Sequence, residues 1–189
     1  MYRNVYIGIP LPEDITKKYI NLLNKLKKPA ILPESEVESY ENDIPHITLY
    51  FLGNQSKEEI EKIKESLLSI DLNIRNNEIN IGGFGIFKKK ESSIAYLRIR
   101  KTKELTALYK NLEENLKSFY FEKRAFIPHL TLSRKINSKN SKSIQMLKAE
   151  TGKINWKFKL NTICLFGRDS KTRRIRTLER IYLHNTDIK

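Results

Sequence analysis

The chain has 189 residues, 39% of them hydrophobic and 31% charged, with one cysteine and 36 basic against 22 acidic side chains. That size suits one domain or two small lobes sharing an interface; a disulfide framework is excluded, and so is a helical membrane span, because no apolar run approaches the required length. The formal charge of +14 points to anionic partners, although a chain rich in Asn, Ile and Lys carries part of it for compositional reasons.

Residues 4–9 read as a short buried strand, ended by Pro10-Leu11-Pro12. The opening ten residues lack the long apolar segment and cleavage site of a secretory signal, so a cytoplasmic location is expected. From Glu13 to about Lys28, the residues Ile15, Tyr19, Leu22, Leu23 and Leu26 keep helical spacing, with acids first and lysines last to suit the dipole. An acidic loop follows over 33–45, then a strand from the motif at 44–49, closed by Gly53. Ser56 and Glu59 form a capping box for a second helix, whose buried stripe is Ile60, Ile63, Leu67 and Leu68. Strands near 78–87 and 93–100 flank a lysine-rich turn, and Gly82, Gly83 and Gly85 predict a bulge or a close backbone approach. Leu105, Leu108, Leu112 and Leu116 mark a third helix, and a strand at 127–132 comes next. A weak helix at 141–149, a strand at 155–166, a basic loop at 167–174 and a strand at 175–183 complete the chain. Cys164 lies in an apolar run and reads as a buried small hydrophobe. The pattern is an α/β chain in two similar halves.

Each half carries the same strand at its midpoint. Ile-Pro-His-Ile-Thr-Leu at 44–49 returns as Ile-Pro-His-Leu-Thr-Leu at 127–132, so two of only three histidines stand 129 − 46 = 83 positions apart in equivalent settings. Alternation sends His46 and Thr48 to one face and Ile47, Leu49 and Phe51 to the other; His129 and Thr131 likewise oppose Leu130 and Leu132. A duplication kept only for packing has reason to retain the apolar positions, and little reason to retain His and Thr on the face away from the core.

Two imidazoles and two hydroxyls suit acid–base chemistry on a phosphodiester. One neutral histidine takes the proton of the nucleophile, and one protonated histidine supplies the leaving oxygen. Hydroxyls about 7 Å further along each strand donate to the phosphate oxygens that gain charge. A zinc site is disfavoured by the lack of a His-x-x-x-His pair or a Cys/His cluster, and the glycines at 82–85 do not form a phosphate loop. His184 reads as a terminal surface residue. Between Lys135 and Arg176 there are twelve basic residues against two acids, which suggests an attractor for a nucleic-acid backbone. Tyr50 and Phe126 are aromatic candidates for base stacking, with core packing as the commoner role.

These features resemble the two-histidine (2H) phosphoesterase superfamily, and within it the RNA 2′,3′-cyclic phosphodiesterases historically called 2′-5′ RNA ligases. The likeness extends to Val5 through Pro12, His46 through Gly53, Gly82 through Phe87 and Pro128 through Arg134. It implies a two-lobed, pseudo-symmetric α/β (α+β) fold, with antiparallel-rich sheets lining a central groove and helices outside. It also implies hydrolysis of a terminal 2′,3′-cyclic phosphate on RNA to a 2′-phosphomonoester, with no metal or other cofactor. By the same resemblance His46 is the acid, His129 the base, and Thr48, Thr131 and Arg134 bind the phosphate. Arg134 stands at i+5 from His129, so strict alternation turns it to the opposite face unless the strand twists or ends. Before the first motif, the acidic stretch 34–43 replaces the short aromatic-bearing segment usual in the family. Competing readings are cleavage or formation of 2′-5′ linkages, action on a small cyclic nucleotide, and a non-catalytic RNA-binding module. A monomer without membrane contact is expected.

Overall fold

The computed structural model describes residues 1–28, 31–32, 44–70, 72, 77–88, 93–120, 125–137, 139–172 and 174–183. The acidic stretch 34–43 and His184 lie outside the described residues. The elements are β1 (Tyr2–Pro10), α1 (Glu13–Leu26), β2 (His46–Gln55), α2 (Lys57–Ser69), β3 (Glu78–Phe87), β4 (Ser93–Ile99), α3 (Lys103–Leu116), β5 (His129–Ile136), α4 (Ser141–Thr151), β6 (Trp156–Lys159), β7 (Thr162–Asp169) and β8 (Ile175–Tyr182). The strands pair antiparallel in two four-stranded sheets, β2-β1-β7-β8 and β5-β4-β3-β6. This is the two-lobed α/β architecture expected.

The helices form where their apolar stripes meet the sheets. Ile15, Tyr19, Leu22, Leu23 and Leu26 of α1 are buried, as are Leu105, Leu108, Leu112 and Leu116 of α3. In α2 the capping box closes through Ser56 and Glu59, but Leu68 is 69% exposed, so its buried stripe is only Ile60, Ile63 and Leu67. One continuous apolar core joins residues from both sheets and all four helices.

Two expectations about chain order are corrected. The strand read at 155–166 is two strands in different sheets, with the chain crossing between lobes at Leu160-Asn161. A buried Asn77 clasps this crossing: its amide donates to the Leu160 carbonyl at 3.2 Å and to Asn161 Oδ1 at 3.0 Å, while Leu160 N–H donates to the Asn77 carbonyl at 2.7 Å. The lobes are therefore not successive halves. Strands from both ends of the sequence build one lobe, and the middle builds the other. The supposed loop at 167–174 also shortens, since β7 runs to Asp169.

The glycines of β3 meet their expectation. The register slips between Ile81 and Phe84, Gly83 has φ +77°, and a Cβ on Gly82 would fall 2.4 Å from the Ile154 carbonyl oxygen. Among the described residues no helix is long and apolar enough to cross a membrane. Because the obstacle at Gly82 is backbone, Gly82→Ala is expected to lower unfolding free energy by about 1–3 kcal/mol, measured by urea denaturation.

Candidate active site

Both motif strands are sheet edges: β2 borders one sheet, β5 borders the other, and the two edges lie against each other. Proline suits the start of an edge strand because it has no N–H to pair. Both strands begin in the same way. Leu11 N–H donates to the Pro45 carbonyl at 3.2 Å, and Ile99 N–H to the Pro128 carbonyl at 3.3 Å. A tyrosine shields the outer edge of β5, where the Tyr19 hydroxyl donates to the Thr131 carbonyl at 2.5 Å.

The imidazoles are held by one repeated device. Nδ1 of His46 lies 2.6 Å from the Ile44 carbonyl oxygen, and Nδ1 of His129 lies 2.8 Å from the Ile127 carbonyl oxygen. A carbonyl only accepts, so Nδ1 carries the hydrogen in both rings. Nε2 is left with a lone pair in the neutral ring and an N–H in the protonated one. The intervening proline explains why the repeat begins Ile-Pro: it fixes its own φ and keeps the isoleucine extended, which aims that carbonyl at the ring.

Aromatic rings brace each imidazole. Tyr6 stacks on His46 at 4.5 Å between centroids and 28°, with its hydroxyl 3.3 Å from Nδ1, and Phe166 stands 5.6 Å away. Beneath them a Cβ on Gly8 would lie 3.0 Å from the Ile47 carbonyl oxygen, so the glycine serves the close approach of β1 to β2, with Phe166 and Tyr6 at contact distance beyond it. In the other lobe Phe87 and Tyr96 present themselves to His129 at 4.9 and 5.3 Å, steeply tilted. Tyr96 in turn lies over Gly85, where a Cβ would come within 2.3 Å of its ring. Their local signal is a glycine on the groove side of a strand flanked by aromatics two residues away or on the neighbouring strand.

His46, Thr48, His129 and Thr131 are all half-buried and alternate with the buried Ile47, Leu49, Leu130 and Leu132, as their spacing predicts. Alternation then fails in both strands at the same point. On β2, successive residues of β1, Ile7 and Gly8, pair with Tyr50 and Thr48; on β5, Ala95 and Tyr96 of β4 pair with Ser133 and Thr131. Leu49 and Leu132 are thus the extra residues of equivalent β-bulges, and the positions just beyond them, as far as the next register shift, change face. Tyr50 and Ser133 turn inward. Phe51, expected in the core, is 38% exposed, opposite the groove residue Tyr6. Arg134 turns to the side of His129, the bulge supplying the reorientation that strict alternation denied it.

Burial holds the His129 pKa below its ordinary value, and the Arg134 charge depresses it further against the opposing pull of the Ile127 carbonyl. Tyr50 is buried and donates to the Tyr120 carbonyl at 2.8 Å, and Phe126 stacks on Tyr109 at 4.4 Å. Both are engaged in packing. Cys164 is buried as read, on the same side of the sheet as Tyr6 and Phe166, with its thiol pKa pushed up by burial.

A lobed fold whose two edges each present an imidazole and a hydroxyl defines a protein of the paired His-x-Thr kind. The model of the 2′-5′ RNA ligase superfamily matches residues 16–172. An RNA 2′,3′-cyclic phosphodiesterase of Thermotoga maritima is 32% identical over 132 residues, 68% of this chain and 68% of that protein. Its counterpart in Bacillus subtilis is 29% identical over 133 residues, 69% of this chain and 70% of that one. Among solved structures, E. coli LigT in apo form matches with a TM-score of 0.69 at 22% identity, covering 97% of this chain and 99% of that chain. The chain belongs to the 2′-5′ RNA ligase superfamily.

NMR titration is expected to give His129 a pKa below the ordinary 6.5. Arg134→Gln removes a like charge, so it should raise that value while leaving burial in place. A His129 midpoint indifferent to Arg134→Gln would place the guanidinium out of electrostatic reach.

Proposed function

We propose that this protein is a metal-independent RNA 2′,3′-cyclic phosphodiesterase, in which both lobes act as one catalytic unit on a single phosphorus. The observation that carries the reading is the duplicated Ile-Pro-His device, which fixes Nδ1 of each imidazole as a donor to a carbonyl, so that proton transfer belongs to Nε2, on two adjoining strand edges. The names of the curated relatives support the same substrate.

In the proposed reaction His129, held toward its neutral form, accepts a proton from water at Nε2 as the water oxygen bonds to phosphorus. The bond from phosphorus to the 3′-oxygen breaks, and protonated His46 supplies that oxygen with a proton from Nε2. The product is a 2′-phosphomonoester with a free 3′-hydroxyl. Thr48 and Thr131 donate to the non-bridging oxygens, and the Arg134 guanidinium adds charge where negative charge grows. The overall charge of +14 draws in the RNA backbone. Because one chain supplies both imidazoles, a monomer suffices. The single buried thiol suits a reducing cytoplasm.

RNA ending in a 2′,3′-cyclic phosphate, incubated in EDTA, should open to the 2′-phosphate; a 3′-phosphate product or no product counts against the proposal. His46→Ala and His129→Ala should each lower kcat about 10²–10⁴-fold while the folded far-UV spectrum persists. Thr48→Val and Thr131→Val should each lower kcat by about 10–10³-fold, and full activity in either would remove that hydroxyl from the phosphate.

A further inference from the structure

The face of the second sheet that carries His129 continues beyond it as a row of cations. Arg98 is the cross-strand partner of His129. Ile99 N–H donates to the Pro128 carbonyl, a bond that flanks this pair, so Arg98 and His129 form a non-hydrogen-bonded pair, the kind whose side chains stand closest. Two residues along comes Arg100, whose N–H donates to the Asn80 carbonyl at 2.9 Å. On β6, Lys157 pairs with Asn80 and Lys159 with Glu78. Directly paired residues share a face, and so do residues two apart on a strand. Arg98, Arg100, Lys157 and Lys159 therefore stand on the His129 side, while Trp156 and Phe158 pack toward the core. All four cations are exposed, and one acid, Glu78, stands among them, 3.4 Å from Lys157 Nζ.

The glycine bulge of β3 gives Arg98 its direction. Gly82 and Gly83 together oppose Arg98, and a Cβ on Gly83 would meet only the arginine Cδ, at 3.9 Å. The stem of Arg98 thus lies over bare backbone and leans away from β5, along the row. Among the described residues its guanidinium has no ion-pair partner. The cations are strung across three strand spacings, about 14 Å, instead of converging on one point. Such spacing suits successive phosphates of a single strand better than one small anion.

We infer that this face is the track for the RNA strand 5′ to the cyclic phosphate: Arg98 takes the phosphodiester next to the terminal nucleotide, and Arg100, Lys157 and Lys159 take those that follow. The identity of the substrate rests on the proposed function. A free cyclic nucleotide has no such phosphates, so the track selects RNA ends over mononucleotides and acts through KM.

The test compares a pentaadenylate ending in a 2′,3′-cyclic phosphate with adenosine 2′,3′-cyclic phosphate. Arg98→Gln/Arg100→Gln should lower the oligonucleotide-to-mononucleotide ratio of kcat/KM roughly 5- to 50-fold, through the oligonucleotide's KM. Glu78→Gln removes the acid and should raise that ratio, a gain that damage to the fold cannot imitate. Lys57→Gln/Lys62→Gln takes the same charge from α2 and should leave the ratio at its wild-type value; a fall equal to that of the arginine variant overturns the track in favour of diffuse attraction. A ratio indifferent to both Arg98→Gln/Arg100→Gln and Glu78→Gln overturns it as well. Binding supplies a readout without turnover, by fluorescence anisotropy of a 5′-labelled pentaadenylate ending in a 2′-phosphate. The slope of log affinity against log salt should shrink by about 0.7 for each arginine removed. If wild type opens no cyclic phosphate yet the slope shrinks in this way, the proposed reaction fails and the track stands. If turnover is normal and the slope is the same without the arginines, the track fails and the reaction stands.

Discussion

One extra residue after the threonine of each motif strand decides which side chains face the groove. Without the bulges, β2 would present His46, Thr48 and Tyr50 on one side, and β5 would present His129, Thr131 and Ser133. With them, Tyr50 and Ser133 join the interior, while Phe51 and Arg134 turn to the faces that carry the imidazoles. A bulge adds local twist and bends its strand. Here the bends occur on the two edge strands that lie against each other, so a single backbone irregularity, made twice, shapes the edge and chooses its chemistry.

The Ile-Pro-His unit supplies the complementary constraint. A histidine that performs proton transfer gains from a fixed tautomer and a fixed ring plane, because both then need no adjustment during reaction. A carbonyl two residues upstream meets both needs without a second side chain, and proline makes that carbonyl's position nearly independent of the rest of the lobe. This accounts for the repeat beginning two residues ahead of the histidine. The braces that surround the rings, Tyr6 and Phe166 in one lobe and Phe87 and Tyr96 in the other, are not copies of each other. The backbone device is duplicated faithfully; its packing is not.

What the residue order makes legible is local. Helical stripes in α1 and α3, the capping box of α2 and the alternation from His46 to Leu49 all depend on neighbours a few residues apart. Features set between strands are hidden. The bulge at Leu49 exists only in the register of β2 against β1, so Phe51 reads as core from its own strand and proves exposed. The same holds for Arg134, whose face is decided by β4. Sheet membership is hidden for a related reason: β6 and β7 are separated by two residues and belong to different lobes, and only the clasp of Asn77, more than eighty positions upstream, marks the crossing. Leu68 shows the reverse error, since an apolar residue on a helix is not obliged to be covered.

The two lobes present the same backbone and two different electrostatic environments. At the position five residues past each histidine, one lobe carries a guanidinium and the other a phenyl ring. A cation beside His129 acts with burial to favour its neutral form, the state a base must occupy before it receives a proton. In the proposed reaction, a charge beside His129 and a ring at the matching place in the other lobe let a symmetric frame perform an asymmetric reaction. Proton acceptance and proton donation are opposite tasks, and two identical sites would do neither well at one pH.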